Sequence, residues 1–283
     1  MSDRRLAYFG HHKCGTRWLY AIVRQVCAEL GLRQEEVHNS AMADGDLGAF
    51  MRRRNLDFVA YTNAEYAYVP NLGRFRGFHV IRDPRDVVVS AYFSHRYSHP
   101  TREFPGLGEH RERLAGLPKE EGLLAEIEYS DFVLRSMYEW NYDNPDVLEL
   151  RIEDVTANPY QRALEVFRFL GLVEDERFGV LARARHLAVT AGRSIASLGR
   201  GVVRSPFSLK ALPAERLLGI VYENDFTRKS GGRKPGEEDV TSHYRKGVAG
   251  DWMNHFRPEH VAMFKKKYDD VLVKLGYEND DRW

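Results

Sequence analysis

The sequence predicts an α/β fold, a single domain in which helices flank a central, mainly parallel sheet. Short apolar runs of strand length alternate along the chain with longer segments in which apolar residues recur every three or four positions. This alternation is typical of parallel sheets whose strands are joined by helices. The first apolar run also ends in a glycine-containing turn that leads directly into a helix, which predicts a P-loop-like phosphate-binding loop. We expect residues 1–283 to form this one domain.

The predicted elements follow from apolar periodicity and from the positions of proline and glycine. Strands are predicted at residues 6–9, 56–61, 77–81 and 147–152. Helices are predicted at residues 18–30, 85–96, 123–141, 159–170, 174–187, 213–222 and 258–276. Proline stands at or directly before the start of four of these helices, where its missing N–H is not needed.

The segments between these elements are predicted to be loops. Residues 31–48 are polar, residues 99–121 are rich in glycine, proline and charge, and residues 183–204 are basic. We interpret residues 99–121 as a surface excursion that could act as a mobile lid. Residues 230–236 contain three glycines and a proline, which predicts a flexible segment.

Composition excludes several classes of protein. The net charge of +1 gives no sign of a nucleic-acid or membrane-surface partner. The two cysteines, Cys14 and Cys27, are too few for a disulfide framework or a zinc site. No apolar run approaches the ~20 residues of a membrane-spanning helix, and the polar first residues do not resemble a signal peptide. We therefore predict a soluble, cytoplasmic protein.

Three polar segments follow the carboxyl ends of predicted strands. The first is the turn of residues 10–16, the second begins at Arg82 and the third begins at Glu153. In open parallel sheets, ligands bind beside the carboxyl ends of the strands. We therefore expect these segments to meet at one rim of the sheet.

The turn after the first strand contains Lys13, Gly15 and Thr16. Backbone N–H groups at a helix start attract anions, and the helix dipole and a lysine add to that attraction. The turn is not a Walker A motif, in which the lysine directly follows the second glycine. Taken alone, the pattern fits a phosphate site and an ordinary strand-to-helix turn about equally well.

Two further segments carry candidate anion-binding residues. Arg82 and Ser90 are about two helical turns apart and lie on roughly the same side, and an arginine with a hydroxyl suits a phosphate monoester. Arg245 and Lys246 precede Gly247, whose missing side chain lets backbone N–H groups approach a ligand. Surface ion pairs explain the first pattern equally well when it is taken alone, and a solvated basic loop explains the second better.

Taken together and in this order, the three segments resemble the cytosolic-type sulfotransferases, which use 3′-phosphoadenosine 5′-phosphosulfate (PAPS). The family's K-x-G-T-x-W loop corresponds to residues 13–18, its R-x₇-S element to Arg82 and Ser90, and its R-K-G-x-x-G-D-W segment to residues 245–252. The resemblance extends from residue 8 to about residue 270 and is loose in the middle. It implies in-line transfer of a sulfuryl group to a hydroxyl or amine of a small-molecule acceptor, with 3′-phosphoadenosine 5′-phosphate (PAP) as the other product.

The resemblance also implies a role for each matching residue. Lys13 would stabilise negative charge on the bridging oxygen of the leaving phosphate. Trp18 and Phe226 would stack near the adenine, although core packing explains Phe226 about equally well. The residues implied to hold the 5′-phosphosulfate are Lys13, Cys14, Gly15, Thr16 and Arg17. The residues implied to hold the 3′-phosphate are Arg82, Ser90, Arg245, Lys246 and Gly247.

Four positions depart from the family pattern. Asn63 stands where the family has its catalytic histidine, Ile152 replaces a tyrosine near the adenine, and Cys14 replaces a common serine. The family's short dimer motif would fall on residues 253–262 and is not matched. Dimerisation by that route is therefore not expected, and the oligomeric state stays open.

The missing histidine leaves the catalytic base open. His38 occupies a place, shortly after the first helix, where related sulfotransferases with other acceptors have a glutamate or a histidine. Glu65 lies beside the missing histidine, and His12 adjoins Lys13. All three are candidates by position, and a partly exposed polar role explains each histidine better than catalysis when it is taken alone.

Two other functions fit parts of the pattern. A P-loop-like small-molecule kinase would need a Walker lysine and Mg²⁺ ligands, and the displaced lysine counts against it. A catalytically degenerate PAP-binding protein would keep the nucleotide motifs without a base. The sequence shows no cluster of metal ligands, and a sulfuryl group carries less charge than a phosphoryl group, so we expect no metal requirement.

Overall fold

The computed structural model describes residues 5–101, 106–174, 210–268 and 270–283. Within these residues the fold is built on one sheet of five parallel strands. The strands are β1 (Arg5–Gly10), β2 (Gln34–Val37), β3 (Phe58–Tyr61), β4 (Phe75–Ile81) and β5 (Val147–Arg151). Their spatial order is β2-β3-β1-β4-β5, so β1 lies at the centre. The predicted α/β fold with a parallel sheet is confirmed.

Helices connect the strands and cover both faces of the sheet. They are α1 (Thr16–Leu30), α2 (Leu47–Arg54), α3 (Pro84–Phe93), α4 (Leu107–Ala115), α5 (Lys119–Tyr129), α6 (Asp131–Tyr138), α7 (Ile152–Ala157), α8 (Pro159–Phe169), α9 (Ala214–Glu223), α10 (Phe226–Lys229), α11 (Pro258–Tyr268) and α12 (Val271–Lys274). Short 3₁₀ turns are formed by Ser40–Ala43, Tyr66–Leu72 and Asp251–Asn254, and a π-helical turn by Ser94–Ser98.

The central strand β1 shows why both faces of the sheet are covered. Tyr8 stacks on Phe78 of β4 with 4.7 Å between ring centroids, in an apolar cluster that includes residues of α1, α8 and α9. Phe9 faces the opposite side and contacts Phe75 and Trp140. Successive side chains of a strand point to opposite faces. Since both faces are buried, the strand is a continuous apolar run rather than an alternating one.

The prediction that residues 31–48 form a loop is wrong in two places, because the segment contains β2 and the start of α2. β2 lies at the edge of the sheet, has the sequence Gln-Glu-Glu-Val, and buries only Val37 of its four side chains. The apolar pattern that reveals a strand is therefore missing. α2 begins at Leu47 inside the same segment, where Asp46 caps it by accepting the Ala49 N–H at 2.8 Å.

The predicted surface excursion at residues 99–121 is also corrected. The segment contains α4, in which Leu107 and Leu114 are fully buried, and the first residues of α5. The single helix predicted at residues 123–141 is two helices, α5 and α6, which meet at Ser130. Sequence periodicity does not show such a break because both helices keep apolar faces on the same core.

The other predicted elements are confirmed to within a few residues, and the helix predicted at residues 258–276 corresponds to α11 and α12. The predicted helix at residues 174–187 and the predicted loop at residues 183–204 lie outside the described residues, apart from residue 174. In the described ranges, no helix has the length and apolar character needed to cross a membrane.

Candidate active site

A cleft of about 610 Å³ lies at the carboxyl edge of the sheet. Its walls come from the segments that follow all five strands and from parts of residues 221–249. The segments that contain Lys13, Arg82 and Glu153 therefore meet at one rim, as predicted, and the segment with Arg245 and Lys246 joins them there. The predicted site residues that line the cleft are His12, Lys13, Gly15, Thr16, Arg17, Trp18, His38, Arg82, Ser90, Phe226, Arg245, Lys246 and Gly247.

Backbone geometry shapes the turn between β1 and α1. Lys13 and Gly15 have φ angles of 65° and 76°, in the left-handed region that is unfavourable for residues other than glycine. The Thr16 hydroxyl donates to the His11 carbonyl at 2.9 Å and closes the turn. A Cβ on Gly15 would lie 2.6 Å from Ile152 Cδ1, so a side chain at that position would be both strained and crowded. The turn thereby places the start of α1 at the cleft.

Lys13 lies among positive charges. Its backbone carbonyl accepts a hydrogen bond from the Arg82 guanidinium at 3.2 Å. Burial, together with the charges of Arg82 and Arg245, lowers the pKa of Lys13 to about 7. An amine beside two guanidinium groups is in an environment that favours a bound anion, because the anion would restore the charged ammonium form.

Arg82 is connected to the C-terminal segment through one buried carboxylate. Its Nη2 lies 3.8 Å from Asp86 Oδ2 in the first turn of α3. Asp86 is 1% exposed and accepts the backbone N–H groups of Gly250 and Trp252 at 2.7 and 2.9 Å. Ser90 lies four residues further along α3 and lines the same cleft. The two candidate 3′-phosphate segments are therefore fixed relative to each other.

Asp251 holds the cations of the C-terminal segment in place. It is 2% exposed and accepts from Arg245 Nη2 and Lys246 Nζ, each at 2.5 Å. Asn254 and His255 also donate to it, at 3.0 and 3.2 Å. Burial acts to raise the pKa of Asp251, but the hydrogen bonds from these four partners outweigh burial and hold the pKa far below its usual range. Asp251 therefore stays charged and keeps both cations at the cleft wall.

Two aromatic rings that were predicted as site residues, Trp18 and Phe226, also line the cleft. Gly247 has a φ angle of 66°, and a Cβ there would lie 2.6 Å from the Phe226 ring. The Gly247 backbone therefore packs directly on that ring. Trp18, in the first turn of α1, is partly buried against the core cluster that also holds Tyr8. A ligand with a flat apolar part and phosphate groups could contact both the rings and the cations.

Cys14 and Glu65 are not among the residues that line the cleft. Cys14 is fully buried, with its Sγ 4.0 Å from Met137 Sδ, so its side chain belongs to the core. Glu65 accepts from the Tyr61 hydroxyl at 3.2 Å and from the Ser40 hydroxyl at 3.3 Å. The structure therefore keeps Glu65 and the Cys14 side chain apart from the other predicted site residues, although the Cys14 backbone belongs to the turn.

Comparison with known proteins decides the family. The profile of the sulfotransferase domain family matches residues 4–189. The chain belongs to the sulfotransferase family. It is also 22% identical to cytosolic sulfotransferase 16 of Arabidopsis thaliana over 300 aligned positions, which cover 95% of this chain and 76% of the relative.

A solved structure agrees with the assignment. The chain is similar to the crystal structure of mouse sulfotransferase SULT7A1 complexed with PAP, with a TM-score of 0.54 and 14% sequence identity, over 100% of this chain and 91% of the mouse chain. At that identity the likeness shows the shared fold. The family and the enzyme class predicted from the three motifs are confirmed.

Sequence reasoning missed two histidines in the cleft of this sulfotransferase. His99 and His243 line the cleft together with His12 and His38. Burial and the charge of Lys13 lower the pKa of His99 to about 3 and that of His243 to about 4, so both rings are neutral at pH 7. His99 belongs to the segment predicted to be a surface loop. The one feature of the sequence that could have indicated His243 as a cleft residue is its position two residues before Arg245.

His38 lies at the open side of the cleft, with 47% of its side chain exposed. Its Nδ1 is 3.0 Å from the Thr62 hydroxyl and 3.8 Å from Glu36 Oε1. Glu36 also lines the cleft, and the sequence did not reveal it because β2 was predicted to be a loop. A histidine hydrogen-bonded at Nδ1 can accept a proton at Nε2.

Two groups in the described part of the chain have the spacing of metal ligands. They are His95 with His110 and Glu126, and Glu238 with Asp251 and His255. The sequence showed neither, because the members of the first group are far apart along the chain and Glu238 is distant from Asp251 and His255. Glu126 hydrogen-bonds both histidines of its group, and Asp251 binds two cations. We interpret both groups as hydrogen-bond networks.

Proposed function

We propose that this sulfotransferase transfers a sulfuryl group from PAPS to a hydroxyl or amine of a small-molecule acceptor. The observation that carries the proposal is that three motif segments, distant in sequence, line one cleft. A helix start, three arginines and two lysines in that cleft suit a ligand with two phosphate groups. The presence of PAP in the crystal structure of mouse SULT7A1, which shares the fold, supports PAP and PAPS as the ligands.

The nucleotide is held at both ends in this proposal. The 5′-phosphosulfate binds to Lys13 and to the backbone of residues 15–17 at the start of α1. The 3′-phosphate binds to Arg82, Ser90 and Arg245, with Lys246 and Gly247 beside it. The adenine lies against Trp18 and Phe226.

Lys13 acts on the bond that breaks. As the acceptor oxygen or nitrogen bonds to sulfur, the S–O bond to the 5′-phosphate breaks, and negative charge grows on the bridging oxygen. The Lys13 ammonium and the backbone donors of the turn stabilise that charge. Since the sulfuryl group carries less charge than a phosphoryl group, we propose that no divalent metal is required.

The acceptor binds beside the cleft histidines, close to the loops after β2 and β3. His38, Thr62 and Asn63 line that part of the cleft. A neutral histidine can take the acceptor's proton during transfer, and His12 and His38 are both placed for this. The Arabidopsis relative is described as cytosolic, and we propose the cytoplasm for this enzyme as well.

Product formation from labelled PAPS tests the proposal. In buffer with EDTA, a panel of phenols, alcohols and amines should give at least one product whose mass is increased by one sulfuryl group. Calorimetry with PAP, ATP and Mg·ATP separates this function from a kinase. Tight PAP binding without any transfer would indicate a degenerate nucleotide-binding protein, and a preference for Mg·ATP would contradict the assignment.

We predict that PAP binding takes up protons above neutral pH. Without an anion, the pKa of Lys13 is about 7, so at pH 8 most of the amine is neutral, and the bound phosphate raises the pKa and charges it. Calorimetry in buffers of different ionisation enthalpy should show uptake of almost one proton at pH 8. This uptake should disappear at pH 6, where Lys13 is already charged and the phosphates of PAP, with a second pKa of about 6, release protons on binding. The affinity should fall by up to about tenfold per pH unit above neutrality. Uptake that persists in Lys13→Ala would contradict this origin of the proton.

We also predict that PAP protects residues 228–250 from hydrogen exchange. Arg233 donates to the Tyr244 and Arg245 carbonyls, each at 2.7 Å, and the Gly236 N–H donates to the Lys246 carbonyl at 2.8 Å. The glycine-rich segment is therefore bonded directly to the nucleotide-binding segment, and PAP should slow exchange in both. Exchange that PAP leaves unchanged across residues 228–250 would count against the placement of the nucleotide.

A further inference from the structure

A chain of buried polar groups leads from the cleft into the protein. His12 lines the cleft next to Lys13, and its Nε2 lies 3.0 Å from Nε2 of His95, in the π-helical turn after α3. His95 Nδ1 lies 3.0 Å from Glu126 Oε1 of α5. His95 is 1% exposed and Glu126 is fully buried. These three side chains are far apart in sequence, and the fold places them in one hydrogen-bonded row.

Glu126 is a buried carboxylate that stays charged. Its Oε2 accepts from His110 Nε2 at 2.8 Å, and its Oε1 also accepts from the Ser130 hydroxyl at 2.9 Å. Burial acts to raise the pKa of Glu126, but electrostatic interaction and hydrogen bonds with His95 and His110 outweigh burial and hold the pKa below its usual value. The row therefore ends in a negatively charged carboxylate that accepts hydrogen bonds from His95, His110 and Ser130.

The charged carboxylate fixes the tautomers of both histidines in the row. Because Glu126 accepts, a neutral His95 carries its proton on Nδ1 and presents the lone pair of Nε2 to His12. His12 therefore donates from its own Nε2, and its lone pair lies on Nδ1. The two ring planes are 11° apart with centroids 5.1 Å apart. Since the nitrogens are only 3.0 Å apart, the rings meet edge to edge, and the shared hydrogen lies close to the line between them.

We propose that His12 accepts the acceptor's proton and that His95 and Glu126 are the positioning residues that fix its tautomer and receive the charge. The inference rests on the proposed sulfuryl transfer. The acceptor's O–H or N–H bond breaks as its oxygen or nitrogen bonds to sulfur, and the proton goes to His12 Nδ1. The Nε2 proton of His12 moves to His95 Nε2, PAP leaves with the electrons of the broken S–O bond, and the sulfuryl product departs. The proton returns along the same row after product release.

The surroundings explain why the charge moves away from His12. Burial, together with the electrostatic influence of His95, Lys13, His99 and His243, lowers the pKa of His12 well below its usual value. A proton that stayed on His12 would lie beside the Lys13 ammonium. A proton on His95 lies beside Glu126, with His99, His110 and the ring of Tyr129 as the other neighbours. The relay therefore separates two positive charges and pairs one of them with a carboxylate.

The same turn supplies a matched control. His11 Nε2 lies 2.7 Å from His79 Nε2, and His79 Nδ1 lies 2.5 Å from Glu149 Oε2. His11 and His79 are fully buried, and this second row also begins in the turn between β1 and α1. Neither His11 nor His79 lines the cleft. His79→Gln therefore alters a buried histidine pair of the same kind without touching the proposed proton path.

Nitrogen-resolved NMR of histidine-labelled protein with PAP tests the tautomers without any acceptor. Loss of signals in His12→Gln and His95→Gln assigns the two rings. At pH 7 we expect His12 to be neutral with its proton on Nε2 and His95 to carry its proton on Nδ1. His95→Gln should release His12 into a mixture of tautomers, and His79→Gln should leave the His12 signals unchanged. The proposal would be overturned if neutral His12 carried its proton on Nδ1, if His12 were positively charged, or if its signals did not change in His95→Gln.

Kinetics with the best acceptor from the mass-spectrometric panel provide the second test. His12→Gln should lower kcat by ~10²–10³-fold, within the range of general-base catalysis, and the isosteric Glu126→Gln by about tenfold. PAP affinity measured by calorimetry should change less than about threefold, which separates failure of the relay from failure of nucleotide binding. His79→Gln should keep kcat. Loss of kcat in His38→Gln with retention in His12→Gln would assign the base to His38 and overturn the relay.

Discussion

Lys13→Ala is expected to lower kcat by about 10²–10³-fold, the scale for losing one preorganised donor to a developing charge. The lysine lies in the turn between β1 and α1, at the wall of the cleft, and its carbonyl is held by Arg82. Charge on the bridging oxygen grows only as the S–O bond breaks, so the ammonium should act more on the transition state than on bound PAPS. Steady-state kinetics with PAPS, together with calorimetry with PAP, measure the two effects separately.

Two control variants make the Lys13 experiment specific. Lys246 also lines the cleft but is tied to Asp251, so Lys246→Ala should raise the KM for PAPS and leave kcat within about threefold. Lys13→Arg should not restore full activity, because the planar guanidinium cannot occupy the place of a compact ammonium. If Lys13→Ala raised only the KM for PAPS, Lys13 would be a binding residue and the proposed mechanism would be wrong.

Sequence analysis predicted those parts of the site whose residues all lie within one short segment of the chain. The turn of residues 10–16 shows its function locally, because a strand end, a glycine and a helix start are adjacent in the chain. Arg82 and Ser90 could be paired because one helix carries the chain from one to the other. In both cases, the regular local geometry of the backbone determines how close two residues lie from their separation in the sequence.

The groups that depend on tertiary contacts could not be predicted in this way. In the sequence, Glu126 is one acidic residue in a helical pattern. Its proposed role depends on hydrogen bonds with His95 and His110, which are 31 and 16 residues away. Burial of a carboxylate is not encoded in local periodicity. Likewise, Asp251 could not be assigned to hold Arg245 and Lys246 until the backbone of the segment was known.

β2 shows a different limit of sequence reasoning. Its three polar residues lie at the sheet edge, where one side of the strand has no neighbouring strand among the described residues, so no apolar pattern is needed. Missing the strand also hid Glu36 and left His38 in a predicted loop. Both residues lie at the carboxyl end of β2, and that end belongs to the same rim as the phosphate turn. How much of the acceptor-binding part of the cleft can be predicted from sequence therefore depends on whether edge strands are recognised.

PAP is expected to bind at least about 100-fold more tightly than adenosine 5′-phosphate, which lacks the 3′-phosphate. Arg82, Ser90 and Arg245 line one part of the cleft, and Asp86 links the segments that carry them. Each charge-assisted contact contributes ~1.5–3 kcal/mol, so the loss of two such contacts gives about this factor. Isothermal calorimetry with both nucleotides at one salt concentration measures the difference.

Arg82→Ala should weaken PAP binding by at least tenfold and reduce the preference for PAP over adenosine 5′-phosphate. A suitable control is Arg135→Ala, which removes an equal charge from an exposed pair with Asp131 on α6, away from the cleft. That variant should bind both nucleotides as the parent protein does, because exposed ion pairs contribute little. Arg82 also supports the Lys13 carbonyl, so the thermal stability of each variant is measured alongside. Equal affinity of the parent protein for the two nucleotides, or an Arg82→Ala variant that weakens both to the same degree, would contradict a 3′-phosphate site at Arg82.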